Sequence, residues 1–250
     1  MLCDTATNRY NTVPGFMPTQ PSLKEILMRT IELADMVRGS EFVNVRSCLD
    51  AGGLVCLPCR SSYRILADLT NAKAVNALLI SKHRTAKTPS LVFIPDHNML
   101  KTVASNIPSQ ARILAKALWP GELTIRFEPN IDTIPPEIVR PIAKVGGKIG
   151  VRVPSESWIL KLLKDLDRPL LISSANREKK HGASSPAMIQ KNFSAHLSIF
   201  VNAGDIPAQT IPSTVIDFVD GELKFKREGA ITRQRIQAVL NAIAADNAMA

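Results

Sequence analysis

Four short polar stretches of this 250-residue chain hold the residue types that could do chemistry. In Ser173-Ser174-Ala175-Asn176, two hydroxyls and an amide emerge into a loop directly after the apolar run Pro169 to Ile172, which is the layout of a binding edge on a buried strand. The same residues also build ordinary turns. Lys82-His83-Arg84 closes an apolar helical stretch, where two cations either hold an anion or simply complement the helix dipole. The other two stretches are Trp119 to Thr124, reading WPGELT, and Pro212 to Asp217, reading PSTVID. Each has a purely structural reading, so their weight depends on their occurring together.

Two further patterns carry less. Cys56-Leu57-Pro58-Cys59 has the spacing of a redox or zinc pair, but no second such pair or close His pair accompanies it, and His83, His97, His181 and His196 are scattered. Cys56 also falls inside an apolar strand pattern, not at the start of a helix, so neither redox chemistry nor a protein-ligated metal is expected. Gly146-Gly147-Lys148 lacks the upstream glycine and the following Ser or Thr of a phosphate-binding loop.

Composition sets the frame. Lys and Arg number 31 against 22 Asp and Glu, a net charge of +9 that favours polyanionic partners such as nucleotide phosphates or RNA. Hydrophobic residues at 45% and charged residues at 21% describe a globule with a substantial core, and no Pro/Gly/Ser-rich run divides it. No continuous apolar segment opens the chain and none has the length of a membrane span, so a cytoplasmic protein without a membrane partner is expected.

The elements that must position these residues follow from periodicity. Ser22 caps a helix carrying Leu23, Ile26, Leu27, Ile31, Ala34 and Val37; Glu41 to Leu49 forms a second, closed by Gly52-Gly53; Asn71 opens a third that runs into Lys82. Helices are also expected over His97 to Ser105, Ser109 to Leu118, Ser157 to Leu166 and from Thr232 onward. Strands are expected at Leu54 to Leu57, Ser90 to Ile94, Glu122 to Phe127, Lys148 to Pro154, Pro169 to Ile172, Leu197 to Val201 and Thr214 to Val219. Asp220-Gly221 then turns a hairpin into Leu223 to Lys226. This alternation predicts an α/β fold with a twisted, mixed sheet.

In that order and spacing, GGLVCLP (52–58), KHR (82–84), WPGELT (119–124), GVRVP (150–154), SSAN (173–176), PSTVID (212–217) and REGA (227–230) resemble the YrdC/YciO-like family, which includes the threonylcarbamoyl-AMP synthases. The resemblance covers about residues 40 to 235. It implies an N-terminal arm and helix over 1–39 and a single YrdC-like domain over 40–245, its mixed sheet flanked by helices around a concave basic cavity. The implied activity is condensation of L-threonine, bicarbonate and ATP, with Mg2+, to threonylcarbamoyl-adenylate and pyrophosphate, for N6-threonylcarbamoyladenosine in tRNA. The K-x-R and S-x-N halves of the family signature stand as Lys82 and Arg84, and as Ser174 and Asn176. Lys82 and Arg84 suit the polyphosphate and the departing charge. Ser174 and Asn176 suit the nucleotide, with Arg152, Ser213, Thr214 and Arg227 at other positions that line its cavity.

One loop departs from the resemblance. The family's P-T-D-T-V-Y-G-L is here Pro58-Cys59-Arg60-Ser61-Ser62-Tyr63-Arg64-Ile65, with arginine replacing acid at 60 and glycine at 64. The exchanges shift the local charge by about +3, and an arginine at 64 is at odds with a tight glycine turn. Nucleotide handling is thus expected to be retained and acceptor handling altered. Two alternatives stand beside the synthase reading: a paralogue that makes a different carbamoyl or acyl adenylate, and a non-catalytic protein that binds tRNA or double-stranded RNA through phosphate contacts.

Overall fold

The computed structural model describes residues 28–60, 62–82, 90–143, 146–175, 185–207 and 210–248, with nine helices and eleven strands among them. The strands are β1 Arg29–Glu32, β2 Val55–Cys59, β3 Ser62–Asp68, β4 Leu91–Phe93, β5 Ala104–Ser105, β6 Leu123–Pro129, β7 Ile149–Arg152, β8 Leu170–Ser174, β9 Ile199–Asn202, β10 Thr214–Val219 and β11 Glu222–Arg227. They form one mixed sheet in the order β1-β9-β2-β3-β8-β4-β7-β6-β10-β11, with β5 paired to β6. The helices are α1 Leu33–Arg38, α2 Phe42–Asp50, α3 Ala72–Ser81, α4 Leu100–Val103, α5 Ser109–Leu118, α6 Pro136–Ile142, α7 Ser157–Leu166, α8 Pro186–Phe193 and α9 Arg233–Ala248.

Local chemistry explains the elements read from sequence. Asn71 is extended and its side chain accepts from the amides of Lys73 and Ala74, so α3 begins where its orphan donors are satisfied. Asp220 and Gly221 have φ of 53° and 78°, the pair of left-handed residues that a two-residue hairpin needs to join β10 to β11. In α7, Ile159, Leu162, Leu163 and Leu166 recur at helical spacing and all are buried.

Four readings change. The helix expected over His97 to Ser105 is only α4, and Ala104–Ser105 pairs with β6 as β5. Residues 29–32, expected within a helix, form the edge strand β1 paired in parallel with β9; Ile31 fits a buried strand position as well as a helical one, and pairing with Val201 decides it. Residues 62–65, read as part of a family loop, belong to strand β3, Ser62–Asp68, paired with both β2 and β8. Arg64 therefore occupies an extended strand between Leu57 and Ser174, and no glycine turn is required there. The stretches 136–142 and 186–193 are helices that were not anticipated, each opened by a proline in its first turn.

The two faces of the sheet are covered unequally, and this positions the site. One face packs along its length against α3, α4, α5, α6, α8 and α9 in a core that includes Ile65, Val92, Leu123, Val151, Leu171 and Ile216. The other packs against α1, α2 and α7, but its apolar cluster stops at Phe93 of β4. Beyond β4 that face carries Arg152, Thr124, Arg126 and Asp217, a polar half-sheet that this apolar cluster does not reach.

Candidate functional site

Arg152 is the last residue of β7 and is buried beside Phe93, its guanidinium 4.9 Å from the ring centre. Its Nη1 donates to Glu122 Oε2 at 2.8 Å, and its Nη2 stands 3.6 Å from Glu156 Oε2. Glu122 is delivered by the WPGELT corner, which is fixed by two bonds: Trp119 Nε1 donates to the Leu123 carbonyl at 2.7 Å and Gly121 N to the Val153 carbonyl at 3.0 Å. Glu156 is the N-cap residue of α7 yet does not cap it; its Oε1 instead accepts from the backbone amide of Arg60 at 2.9 Å. Two buried acids thus aim one arginine, and one of them ties it to the β2–β3 tip.

Arg64 and Arg227 lie in the same field. Burial lowers the pKa of Arg64, and the charge of Arg152 pushes in the same direction, against the acids Glu156 and Glu122. Burial likewise lowers Arg227, followed by the charges of Arg64 and Arg152. Arg227 is held by donating from Nε to the Ser213 carbonyl at 3.0 Å and from Nη2 to Ser213 Oγ at 3.2 Å, while Ser213 Oγ lies 3.3 Å from Thr124 Oγ1. Three guanidiniums partly offset by two carboxylates leave an excess of positive charge, which suits a polyanion.

Lys82 follows α3 as its C-cap and is only 9% exposed, so it is not a solvated helix end. Its Nζ donates to the Ser174 carbonyl at 2.5 Å and stands 5.5 Å from the centre of the Phe193 ring. Ser174 ends β8 directly opposite Arg64. Lys82, Ser174 and Arg64 thereby link to Arg152, Arg227 and Ser213; Arg84 and Asn176 lie outside the described residues.

Other expected site residues sit in the walls. Thr214 is fully buried, and its hydroxyl donates to the Ile231 carbonyl at 2.6 Å while accepting from the amides of Gly229 and Ile231 at 3.0 Å each, so it braces the REGA turn behind Arg227. Tyr63 points to the opposite core; its hydroxyl donates to the Gly204 carbonyl at 2.7 Å and accepts from Ala203 N at 2.9 Å. Pro58, Cys59 and Arg60 line a cavity of about 420 Å3 with Glu156, Trp158, Asp205 and neighbours. Cys56 and Cys59 belong to the cores on opposite faces of the sheet, as a three-residue spacing on a strand requires, and burial pushes both thiols up. Among the described residues no group of three or more His, Cys, Asp or Glu could hold a metal, and no helix is long and apolar enough to cross a membrane.

Sequence reasoning passed over Glu122 and Glu156 as site residues, and marked Arg64 only as a departure in the substrate loop. Glu122 lay inside a quoted motif and was recognisable as an acid flanked by a corner and an apolar strand. Glu156 gave no signal, because nothing local reveals that a helix N-cap turns away from its helix.

The fold and this half-face define a mixed α/β protein whose polar sheet surface gathers cations and hydroxyls. The sequence profile of the Sua5/YciO/YrdC family, described as telomere recombination, matches residues 47–229. The chain belongs to that family. It is 29% identical over 194 residues to the threonylcarbamoyl-AMP synthase of Pyrococcus abyssi, covering 77% of this chain and 55% of that protein. With the threonylcarbamoyl-AMP synthase of Bacillus subtilis it shares 26% identity over 196 residues, covering 78% and 55%. The chain therefore spans just over half the length of both relatives. The crystal structure of P. abyssi Sua5 complexed with L-threonine has the same fold, with a TM-score of 0.71 at 25% identity over 86% of this chain and 60% of that one.

Proposed function

We propose that this protein is an ATP-dependent adenylate-forming enzyme of the threonylcarbamoyl-AMP synthase type. The observation that carries the reading is the convergence of Arg64, Arg152 and Arg227 beside the Lys82–Ser174 link. The amine of an α-amino acid, L-threonine by the relatives' names, combines with bicarbonate to a carbamate with loss of water. A carbamate oxygen then attacks the α-phosphorus of ATP; the new O–P bond forms as the bond to the β-phosphate breaks, and pyrophosphate leaves with the electron pair. Arg152 and Arg227 would hold phosphate oxygens, and Lys82 with Arg84 would offset the charge that grows on the leaving group. Ser174, Asn176 and Ser213 would orient the nucleotide, with Thr214 and Tyr63 bracing the walls. Mg2+ bound with ATP would supply further positive charge against the phosphates, beside Arg152 and Arg227. The product would be consumed in forming N6-threonylcarbamoyladenosine in tRNA.

The reaction needs no nucleophilic side chain, because the carbamate is itself the nucleophile. Its test is pyrophosphate release from ATP with bicarbonate and L-threonine, with mass-spectrometric detection of the carbamoyl-adenylate. Binding of ATP with amino-acid-dependent release supports the reading; absence of ATP binding by calorimetry overturns it.

A further inference from the structure

We propose that Arg64 binds substrate, its guanidinium holding the pyrophosphate end of ATP and retaining pyrophosphate after the adenylate forms. The inference rests on the nucleotide reading above and gives a role to the member of the arginine cluster left without one there. Strand β3 fixes its place. Leu57, paired with Arg64, and Leu66, two residues along the strand, both belong to the apolar cluster under α1, α2 and α7, so alternation puts Arg64 on the face of the sheet that carries Phe93 and Arg152. On its other side Arg64 pairs with Ser174, whose carbonyl accepts from Lys82 Nζ at 2.5 Å. Arg64 and Lys82 thus flank one residue, at the end of the site given above to the leaving group.

The side chain has no counter-ion in the protein. It is partly buried, yet among the described residues its guanidinium, with its full set of N–H donors, makes no hydrogen bond and no ion pair. Burial lowers its pKa and the like charge of Arg152 acts the same way, while Glu156 and Glu122 offset them from beyond ion-pair distance. Arg227 is lowered by burial and by Arg64 in turn. An unpaired cation in repulsive company destabilises the empty protein, and a polyanion relieves it. A strut would instead have its partner within the folded chain. Of the anions in the reaction pyrophosphate carries the most charge, and Lys82 stands at the same end of the site. Position 64 reads glycine in the family pattern quoted above, so this arm of the clamp belongs to this chain and not to that pattern.

The test is calorimetric titration of the full chain, and of its Arg64→Met and Arg64→Lys variants, with pyrophosphate, ATP and AMP. Arg64→Met should weaken pyrophosphate and ATP about tenfold or more, the scale of a lost charge-assisted hydrogen bond, and leave AMP within about twofold. Arg64→Lys should lose less, about threefold for pyrophosphate, since the charge remains and only the planar fork is gone. The thermal midpoint of Arg64→Met without ligand should equal or exceed that of the parent, the opposite of what loss of a structural arginine gives. Pyrophosphate affinity within about twofold of the parent in both variants would overturn the inference. So would a lowered midpoint in Arg64→Met, equal losses for AMP and pyrophosphate, or a parent that binds no pyrophosphate. A parent that binds pyrophosphate but not ATP would count against the nucleotide reading instead, since the pyrophosphate titrations still decide Arg64.

Discussion

Lys82 Nζ and the carbonyl oxygen of Ser174 meet at 2.5 Å although 92 residues separate them. The bond joins the end of α3 to the end of β8, so one residue from each half of the K-x-R and S-x-N pattern is fixed against the other. As a buried cation beside Arg64, Lys82 adds to the positive field that attracts a phosphate. Lys82→Met should weaken ATP binding by about 1.5–3 kcal/mol, the scale of a charge-assisted hydrogen bond, as read by calorimetry. An unchanged affinity in a folded variant would reduce Lys82 to a strut between the two elements.

Arg152 and Glu122 form an ion pair whose side chains are 6% and 8% exposed. Removing one member strands a buried charge, so Glu122→Ala should cost about 3–5 kcal/mol of stability in urea unfolding. Arg152→Met combined with Glu122→Leu should cost much less than the sum of the single changes, because neither charge then remains. Equal and additive losses would show that the two do not interact.

The REGA turn offers a steric test. A Cβ at Gly229 would stand 2.1 Å from the Pro212 carbonyl oxygen and 2.8 Å from that of Ser213, both rigid backbone atoms. Gly229→Ala must push the turn away from Ser213, which anchors Arg227. We expect a loss of about 2 kcal/mol or more in thermal unfolding, the cost of overpacking, with weakened ATP binding. Retained stability would mean that the turn moves freely.

Cys48, Cys56 and Cys59 give the pH dependence. Burial raises all three thiols above their ordinary value near 9, so the folded state keeps their protons where the unfolded chain releases them. Above about pH 9 the unfolded state binds fewer protons, and stability falls by up to about 1.4 kcal/mol per pH unit for each such thiol until its folded value is reached. Unfolding midpoints measured from pH 8 to 10.5 should decline, and thiol reagents should label Cys56 and Cys59 only as the protein opens. Rapid labelling at pH 7.5 in the native state would contradict their burial.

Much of this arrangement was legible beforehand because local signals agree with the global fold. Asn71 before α3, the Asp220-Gly221 turn, and the spacing of Ile159, Leu162, Leu163 and Leu166 each specify their element without help from the rest of the chain. Ile31 and the segment 62–65 were misread because a short apolar pattern is resolved only by its pairing partners, β9 in one case and β2 and β8 in the other. The site followed the same division. Lys82 and Ser174 stand in recognisable motifs, whereas Glu156 acts through contacts with Arg60 and Arg152 that no local spacing reveals.

Strand β1 has a practical bearing on how the protein is handled. It covers the outer edge of β9 in parallel register from Arg29 against Ile199 to Glu32 against Asn202, and Leu33, a wall of the cavity, follows it directly. A version cut to begin at residue 40 would bare the backbone donors and acceptors of Ile199–Asn202 beside buried Phe200 and Val201. Such an edge recruits strands from other molecules. The trimmed protein should self-associate in sedimentation runs, so the choice of starting residue determines whether a preparation stays monodisperse.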